Sequence, residues 1–223
     1  MRTKTLLIAA AALAATVISS QAQVYSGVVG YVNVTAPSGK FVFLNNPLTT
    51  GNDVISNVVQ NVPGGTTVNI WNGSGFDVLQ YTALSHTWKQ GTTATNTYPL
   101  PPGKGFFLTA SANTNVTFVG STLISPGSDE SITNGLSTSL NAVGALVPIS
   151  DVVTNAATFG LLVAGGSTLQ QWSVPNQTFS VFQYSSLSHV WKQGTTVTNP
   201  VIGVAEGFFI QPASATNWVI TLP

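Results

Sequence analysis

The chain contains the segment Leu84-Ser-His-Thr-Trp-Lys-Gln-Gly-Thr-Thr-Ala-Thr-Asn96 and repeats it as Leu187-Ser-His-Val-Trp-Lys-Gln-Gly-Thr-Thr-Val-Thr-Asn199, with 11 of the 13 positions identical. Shorter matches extend outward on both sides, and they pair Trp71 with Trp172, Phe76 with Phe179, Gly105-Phe106-Phe107 with Gly207-Phe208-Phe209, and Asp53 with Asp151. The offset between matched residues drifts from 98 to 103, as insertions in loops between fixed elements produce. The pattern therefore predicts a tandem duplication of one structural unit.

Most of each unit alternates apolar and polar residues with a period of two, which is typical of half-buried β-strands. Strands are predicted at 30–35, 67–71, 76–81, 105–109 and 115–119, and again at 168–172, 179–184, 207–211 and 218–222. The run Asn72-Gly-Ser-Gly75 predicts a hairpin turn, because Asn and Gly tolerate positive φ.

One segment per unit breaks this alternation. Apolar residues follow Asp53 at 54, 55, 58 and 59, and they follow Asp151 at 152, 153, 156 and 157. This spacing places one apolar stripe on a short helix, whose first turn the aspartate would cap. The fold prediction is a mainly-β protein, a tandem duplication of a ~100-residue β-sandwich or barrel-like unit with one short helix per unit.

The amino terminus has the pattern of an export signal. A cationic start is followed by the 13-residue apolar run Leu6–Ile18 and by small residues before Ala22. The run is too short to remain as a membrane anchor, since a span needs about 20 residues. We predict a signal peptide at 1–22, with cleavage after Ala22 or Gln23, then repeat unit 1 at 23–120 and repeat unit 2 at 121–223. The predicted location is outside the cytoplasm: extracellular, cell-surface or periplasmic.

Charge is scarce in this chain. It has no cysteine, and charged residues make up 5% of the sequence. After cleavage the chain keeps four lysines and six acidic residues, so its formal net charge is −2. The four lysines are Lys40, Lys89, Lys104 and Lys192. Nucleic-acid binding needs clustered Lys and Arg, which this chain lacks, and a polybasic membrane surface is excluded on the same ground. The sequence supports neither disulfides nor a thiolate metal site.

Several motifs, taken in order, resemble a family of exported, internally duplicated β-rich proteins of Verrucomicrobia-like bacteria. They are Gly30-Tyr-Val-Asn-Val-Thr35, Leu44-Asn-Asn-Pro-Leu48, Pro102-Gly-Lys-Gly-Phe-Phe107, Ala205-Glu-Gly-Phe-Phe209 and Asn217-Trp-Val219. Members usually carry Glu where this chain has Lys104. The resemblance implies export and the duplicated β-rich fold, and it assigns no functional residue.

The long repeated segment holds the candidate binding residues. If 84–90 is one strand, then Leu84, His86, Trp88 and Gln90 share a face, as do their counterparts in unit 2. A strand tryptophan usually packs in a core, but an exposed one beside amides suits stacking on a sugar ring. The candidate ligand-binding residues are therefore Trp88, Trp191, His86, His189, Gln90 and Gln193.

Catalytic signatures are weak. Adjacent Ser85-His86 and Ser188-His189 would point to opposite faces of a strand, so they do not form a catalytic pair. Two distant histidines and scattered acids give no metal-ligand spacing, and Asp77 with Glu206 would form a glycosidase pair only by accident of folding. Gly103-Lys104-Gly105 lacks the pattern of a phosphate loop.

The sequence favours an exported, non-enzymatic structural or cell-surface protein. The alternative is an extracellular carbohydrate-binding module that uses exposed tryptophans. We expect no cofactor and no metal, no nucleic-acid partner and no membrane anchor after signal cleavage. The expected partners are a second copy of the chain or an extracellular polysaccharide.

Overall fold

The computed structural model describes residues 29–124 and 130–221, and the predicted signal peptide at 1–22 lies outside this part. The alternating segments form antiparallel strands, which confirms the predicted mainly-β class. In chain order the described elements are β1 Val29–Ala36, β2 Phe41–Asn45, α1 Ile55–Val58, β3 Thr67–Trp71, β4 Phe76–Thr82, β5 Thr87–Gln90, β6 Thr93–Ala94, β7 Gly105–Thr109, β8 Thr114–Ser121, β9 Ser131–Leu136, β10 Asn141–Val143, β11 Asp151–Val152, β12 Thr168–Ser173, β13 Thr178–Tyr184, β14 Trp191–Gln193, β15 Thr196–Val197, β16 Val201–Ile202, β17 Phe208–Gln211 and β18 Thr216–Thr221.

Two six-stranded sheets dominate the structure, and their strand orders correspond. Sheet I has the order β2-β7-β3-β4-β5-β6, and sheet II has the order β10-β17-β12-β13-β14-β15. Two long ribbons, β1 with β8 and β9 with β18, accompany them, and β11 pairs with β16. The matched strands of the two sequence units thus occupy matched places in the two sheets.

The hairpin turn predicted at 72–75 joins β3 to β4. Trp71 and Phe76 pair across the hairpin, and Asn72 donates its backbone N–H to the carbonyl of Gly75 at 3.0 Å. The Asn72 side-chain oxygen accepts the N–H groups of Ser74 and Gly75, while Gly73 adopts a φ of 102°. Asn and Gly therefore act here as the sequence predicted.

Each six-stranded sheet buries one face against a ribbon, as in a sandwich. In the first half, Val68 and Ile70 of sheet I pack with Val116 and Phe118 of the β1–β8 ribbon. In the second half, Leu169 and Ile210 of sheet II pack with Trp218 and Ile220 of the β9–β18 ribbon. The two halves therefore have separate hydrophobic cores.

A third cluster lies between the two sheets. Phe43 and Phe107 of sheet I meet Ala142 and Phe209 of sheet II, and all four are buried. The stacked rings of Phe43 and Phe107 have centroids 4.2 Å apart, and Phe43 lies 4.9 Å from Phe209. Each sheet thus has a second apolar face, which the other sheet covers in part.

Backbone hydrogen bonds reinforce this contact in a reciprocal way. Asn45 at the end of β2 donates its N–H to the carbonyl of Ala205 at 2.9 Å, and the matched Gly144 donates to Gly103 at 3.0 Å. The buried Asn45 side chain also donates to the carbonyl of Ala145 at 2.7 Å. Because each half donates a backbone hydrogen bond to the other, the position of sheet I relative to sheet II is fixed.

The prediction of one short helix per unit is correct for the first unit and wrong for the second. In α1, Val58 is buried and Val59 follows it as a buried C-cap. The matched positions of unit 2 are Ala156 and Ala157, which are exposed, and the chain there forms β11 followed by turns. So short a helix depends on tertiary packing for its stability, and an alanine side chain has too little apolar surface to provide that packing.

The predicted capping role of both aspartates is also wrong. The residue at the N-cap of α1 is Val54, which makes no side-chain capping bond. Asp53 instead accepts hydrogen bonds from the N–H of Thr50 and the hydroxyl of Thr49, both at 2.8 Å, so it closes the preceding loop. Asp151 stabilises a turn by accepting from Asn155 and Thr158.

The repeated segment is not one continuous strand. Residues 83–86 form a turn, and β5 begins only at Thr87. His86 and His189 have φ angles of 49° and 52°, in the left-handed region, so the alternation expected from Leu84 to Gln90 is interrupted. The predicted shared face of Leu84, His86, Trp88 and Gln90 therefore does not form.

Candidate functional site

The two tryptophans of the repeated segment are core residues. Trp88 is 1% exposed and Trp191 is 0% exposed, and each ring lies 5.3 Å from a tyrosine of the neighbouring strand, Tyr81 or Tyr184. Neither indole presents a face to solvent, so the packing interpretation is favoured over sugar stacking at these positions. They also belong to different cores, which keeps them apart.

The other candidate residues of this segment are exposed, and none of them lines the aromatic groove between the sheets. His86 Nδ1 lies 3.2 Å from the hydroxyl of Tyr81, and the His189 ring centroid is 6.5 Å from that of Tyr184. Gln90 and Gln193 lie on the surface at the ends of β5 and β14. A phenol does not orient an imidazole as the carboxylate of a catalytic triad does.

A concave site with a mainly aromatic lining lies between the two sheets. We call it the aromatic groove, a cavity of about 410 Å³. Its lining is mainly aromatic and contains no charged residue, and it consists of Phe41, Asn69, Trp71, Phe76, Phe107, Leu140, Gln170, Trp172, Phe179 and Phe209. Sheet I and sheet II contribute matched residues to it.

Two half-buried tryptophans form the walls of the aromatic groove. The ring of Trp71 packs on Phe76 at 5.2 Å, and the ring of Trp172 packs on Phe179 at 4.8 Å, both in edge-to-face geometry. Each pair sits at the start of a hairpin, where β3 meets β4 and β12 meets β13. The hairpin register therefore fixes the orientation of both walls.

Each indole N–H is bonded across to the opposite sheet. Trp71 Nε1 donates to the carbonyl of Leu140 at 3.0 Å, and Trp172 Nε1 donates to the carbonyl of Phe41 at 2.9 Å. Leu140 and Phe41 occupy matched positions before and within the first strand of their sheets. These two hydrogen bonds hold the indole rings in place on opposite walls of the aromatic groove.

Two amide side chains accompany the aromatic rings. Asn69 on β3 and Gln170 on β12 occupy matched positions in the lining. The Asn69 side-chain oxygen is buried and has no hydrogen-bond partner among the described residues. An unpaired buried acceptor is costly, so a donor that reached this oxygen would stabilise the bound state.

The carboxylates lie outside the lining of the aromatic groove. Hydrogen bonds from Thr158 first, and then from Val152 and Asn155, hold the pKa of the Asp151 carboxyl below its usual value against a smaller effect of desolvation. Burial raises the pKa of Glu206, while bonds from the Gly203 N–H and Gln171 oppose this effect. Asp77 accepts hydrogen bonds from Tyr98 and Asn72. Neither Asp77 nor Glu206, the two acids considered as a glycosidase pair, lines the aromatic groove.

Tyr98 and Asp77 form a short hydrogen bond with a measurable consequence. The Tyr98 hydroxyl donates to Asp77 at 2.6 Å, and burial, this bond and the nearby negative charge raise the pKa of Tyr98 to about 12. The neutral phenol is therefore favoured in the folded state, so its contribution to stability is complete below about pH 10 and is lost as pH rises through about 12.

We expect spectrophotometric titration to show one tyrosine ionising near pH 12, and Tyr98→Phe to remove that step. Tyr31→Phe is the control, because Tyr31 is exposed and lies on β1, so this variant should keep the ionisation near pH 12. Persistence of the high step in Tyr98→Phe would assign it to another residue.

Within residues 29–124 and 130–221, no group of three histidine, aspartate or glutamate side chains comes together to hold a metal ion. In the same residues, no helix has the length and hydropathy needed to cross a bilayer. Comparison of the chain with family models, curated proteins and solved structures found no match.

Sequence reasoning missed the groove, although a signal for it was present. The doublets Phe106-Phe107 and Phe208-Phe209 place one aromatic ring on each face of a strand. Both faces of each sheet must then be covered, one by the ribbon and the other by a second partner. The matched pairs Trp71–Trp172 and Phe76–Phe179 lie on that second face.

Proposed function

We propose that this is an exported, non-enzymatic cell-surface or structural protein that binds polysaccharide in the aromatic groove. The observation that carries the proposal is the pairing of two fixed, half-buried indoles with the unpaired amide oxygen of Asn69. Sugar rings present apolar C–H faces that pack on aromatic rings, and their hydroxyls donate hydrogen bonds to amide oxygens. Few other ligands combine both properties in each repeating unit.

The arrangement also supports a binding role over catalysis. The lining contains no nucleophile, no imidazole and no carboxylate, which are the groups that hydrolysis of a glycosidic bond requires. In this proposal Trp71 and Trp172 take the place of Trp88 and Trp191, the tryptophans that the sequence indicated as candidate binding residues. Self-association, the other partner expected from the sequence, stays a prediction.

Iodide quenching of tryptophan fluorescence tests the proposal directly. We expect Trp71 and Trp172 to be quenchable, and soluble polysaccharide to protect them. The double variant Trp71→Phe/Trp172→Phe should lose the protected component. Replacing the same residues by alanine should weaken binding about fivefold for each ring removed, since an aromatic contact contributes about 1 kcal/mol.

The matched control is Trp88→Phe/Trp191→Phe, which alters the two buried indoles and should retain both the quenchable component and the affinity. Asn69→Ala provides a second variant that leaves all rings in place and should weaken binding by removing the acceptor. Equal quenching in all variants, with no protection by any polysaccharide, would reject the groove as a sugar site.

A further inference from the structure

The face of each sheet that lines the aromatic groove continues beyond it. Across sheet I, Val78 lies beside Asn69, Gln80 beside Thr67, and Lys89 beside Gln80. Side chains at directly paired positions point to the same face of a sheet, so Lys89 shares the face that carries Trp71 and Phe76. Neighbouring strands are spaced by about 4.8 Å, which places Lys89 about 10 Å from β3.

Sheet II has the same arrangement on its groove face. Val181 lies beside Gln170, Gln183 beside Thr168, and Lys192 beside Gln183. The aromatic groove is therefore flanked by two matched surfaces, each of which leads from a tryptophan to a lysine.

The flanking surfaces of the two sheets carry the same residues on β4 and β13. On β4 and β13 the groove-face residues Phe76, Val78 and Gln80 are identical to Phe179, Val181 and Gln183. The alternate residues Asp77 and Leu79, which point to the other face, are replaced by Ser180 and Phe182.

Packing restricts buried positions through their neighbours, while exposed positions vary more freely. Val78 and Val181 are exposed, as are Gln80 and Gln183, so their identity serves no core. A common contact on the two flanks accounts for it.

The charges on this face have one sign. Lys89 and Lys192 place an ammonium group on each flank. Asp77 is on the opposite face of β4 and is held by Tyr98. Asp53 and Asp151 are hydrogen-bonded within their own loops, and Glu206 accepts hydrogen bonds from Gly203 and from Gln171 of β12. A ligand that extends from the groove over both flanks would meet positive charge at each end.

We propose that the groove and its flanks bind a linear anionic polysaccharide, whose sugar faces pack in the aromatic groove and whose carboxylate or sulfate groups pair with Lys89 and Lys192. This assignment rests on the proposed function and narrows it to a ligand class by charge complementarity. Exposed ion pairs are individually modest and are screened by salt, so the lysines add selectivity while the rings supply most of the binding.

Calorimetric titration with polygalacturonate and with its fully methyl-esterified form tests the assignment, because the two polymers share a backbone and differ in charge. A sulfated galactan and its unsulfated counterpart form a second pair that separates sulfate from carboxylate. We expect the charged member of at least one pair to bind more tightly, and this difference to disappear when salt is raised from about 0.02 M to about 0.5 M.

Variants of the two lysines test whether Lys89 and Lys192 cause the preference for the charged polymer. Lys89→Gln and Lys192→Gln should each weaken binding of the charged polymer about threefold, and the double variant about tenfold, with the uncharged polymer unaffected. Lys40→Gln is the control, since it removes the same charge at an exposed position outside the paired rows of the groove face.

Three results would overturn the assignment. Equal affinity for charged and uncharged polymers, with groove tryptophans still protected, would reject the anionic ligand and leave the proposed function standing. An equal loss in Lys40→Gln would show a response to net charge alone. Absence of binding to all four polymers, with no tryptophan protection, would reject both proposals together.

Discussion

Trp191→Ala is expected to destabilise the protein by about 3–5 kcal/mol, which is the range for truncating a fully buried large aromatic residue. Trp191 is 0% exposed and lies in the second core beside Tyr184. The surrounding β-sheet cannot collapse to fill the volume of an indole, so a cavity would remain. Urea denaturation followed by circular dichroism measures the loss.

The control for Trp191→Ala lies four residues away. Leu187 is 94% exposed at the tip of the turn before β14, so Leu187→Ala should change stability by less than about 0.5 kcal/mol. If Trp191→Ala does not fold, Trp191→Phe should show a smaller, measurable loss. A large loss in Leu187→Ala, or none in either tryptophan variant, would contradict the packing role assigned to Trp191.

Gly120→Ala is expected to destabilise the protein by at least about 1–3 kcal/mol, the usual cost of overpacking. A Cβ at Gly120 would lie against the backbone carbonyl of Thr49, well inside van der Waals contact. That carbonyl cannot withdraw freely, because Thr49 and Ser121 exchange two backbone hydrogen bonds of 2.9 Å. Thermal unfolding would register the change.

Gly30 is the matched control for this substitution. It lies directly opposite Gly120 in the β1–β8 ribbon, yet an added Cβ there meets nothing within 4 Å. Gly30→Ala should therefore be neutral or slightly stabilising, since alanine restricts the unfolded chain more than glycine does. Equal effects of the two substitutions would show that the Thr49 contact is not the cause.

Local patterns were sufficient to predict most of the strands. The segments at 67–71 and 105–109 were predicted at the residues where β3 and β7 are found, and the turn at 72–75 was predicted from Asn and Gly alone. These features depend on neighbours in sequence, since strand alternation and turn chemistry are decided within a few residues.

The predictions that were wrong concern segments whose conformation depends on contacts with residues distant in the sequence. The spacing after Asp151 matched the spacing after Asp53, but only the valines of α1 bury enough surface to hold a helix. Similarly, the alternation through Leu84 to Gln90 was broken by the left-handed conformation of His86, a turn geometry that hydrophobic periodicity does not encode.

The amino-acid sequence by itself determined the mainly-β class, the register of the hairpins and the scarcity of charge, because each follows from residue type and from neighbours along the chain. The tertiary structure alone decided which tryptophans are accessible. The sequence pattern predicts strand positions for four tryptophans, Trp71, Trp88, Trp172 and Trp191. Among these four, Trp71 and Trp172 line the aromatic groove, and Trp88 and Trp191 are buried in the cores. Their environment depends on the contact between two sheets, and residues such as Phe107 and Phe209 that make this contact are about one hundred positions apart.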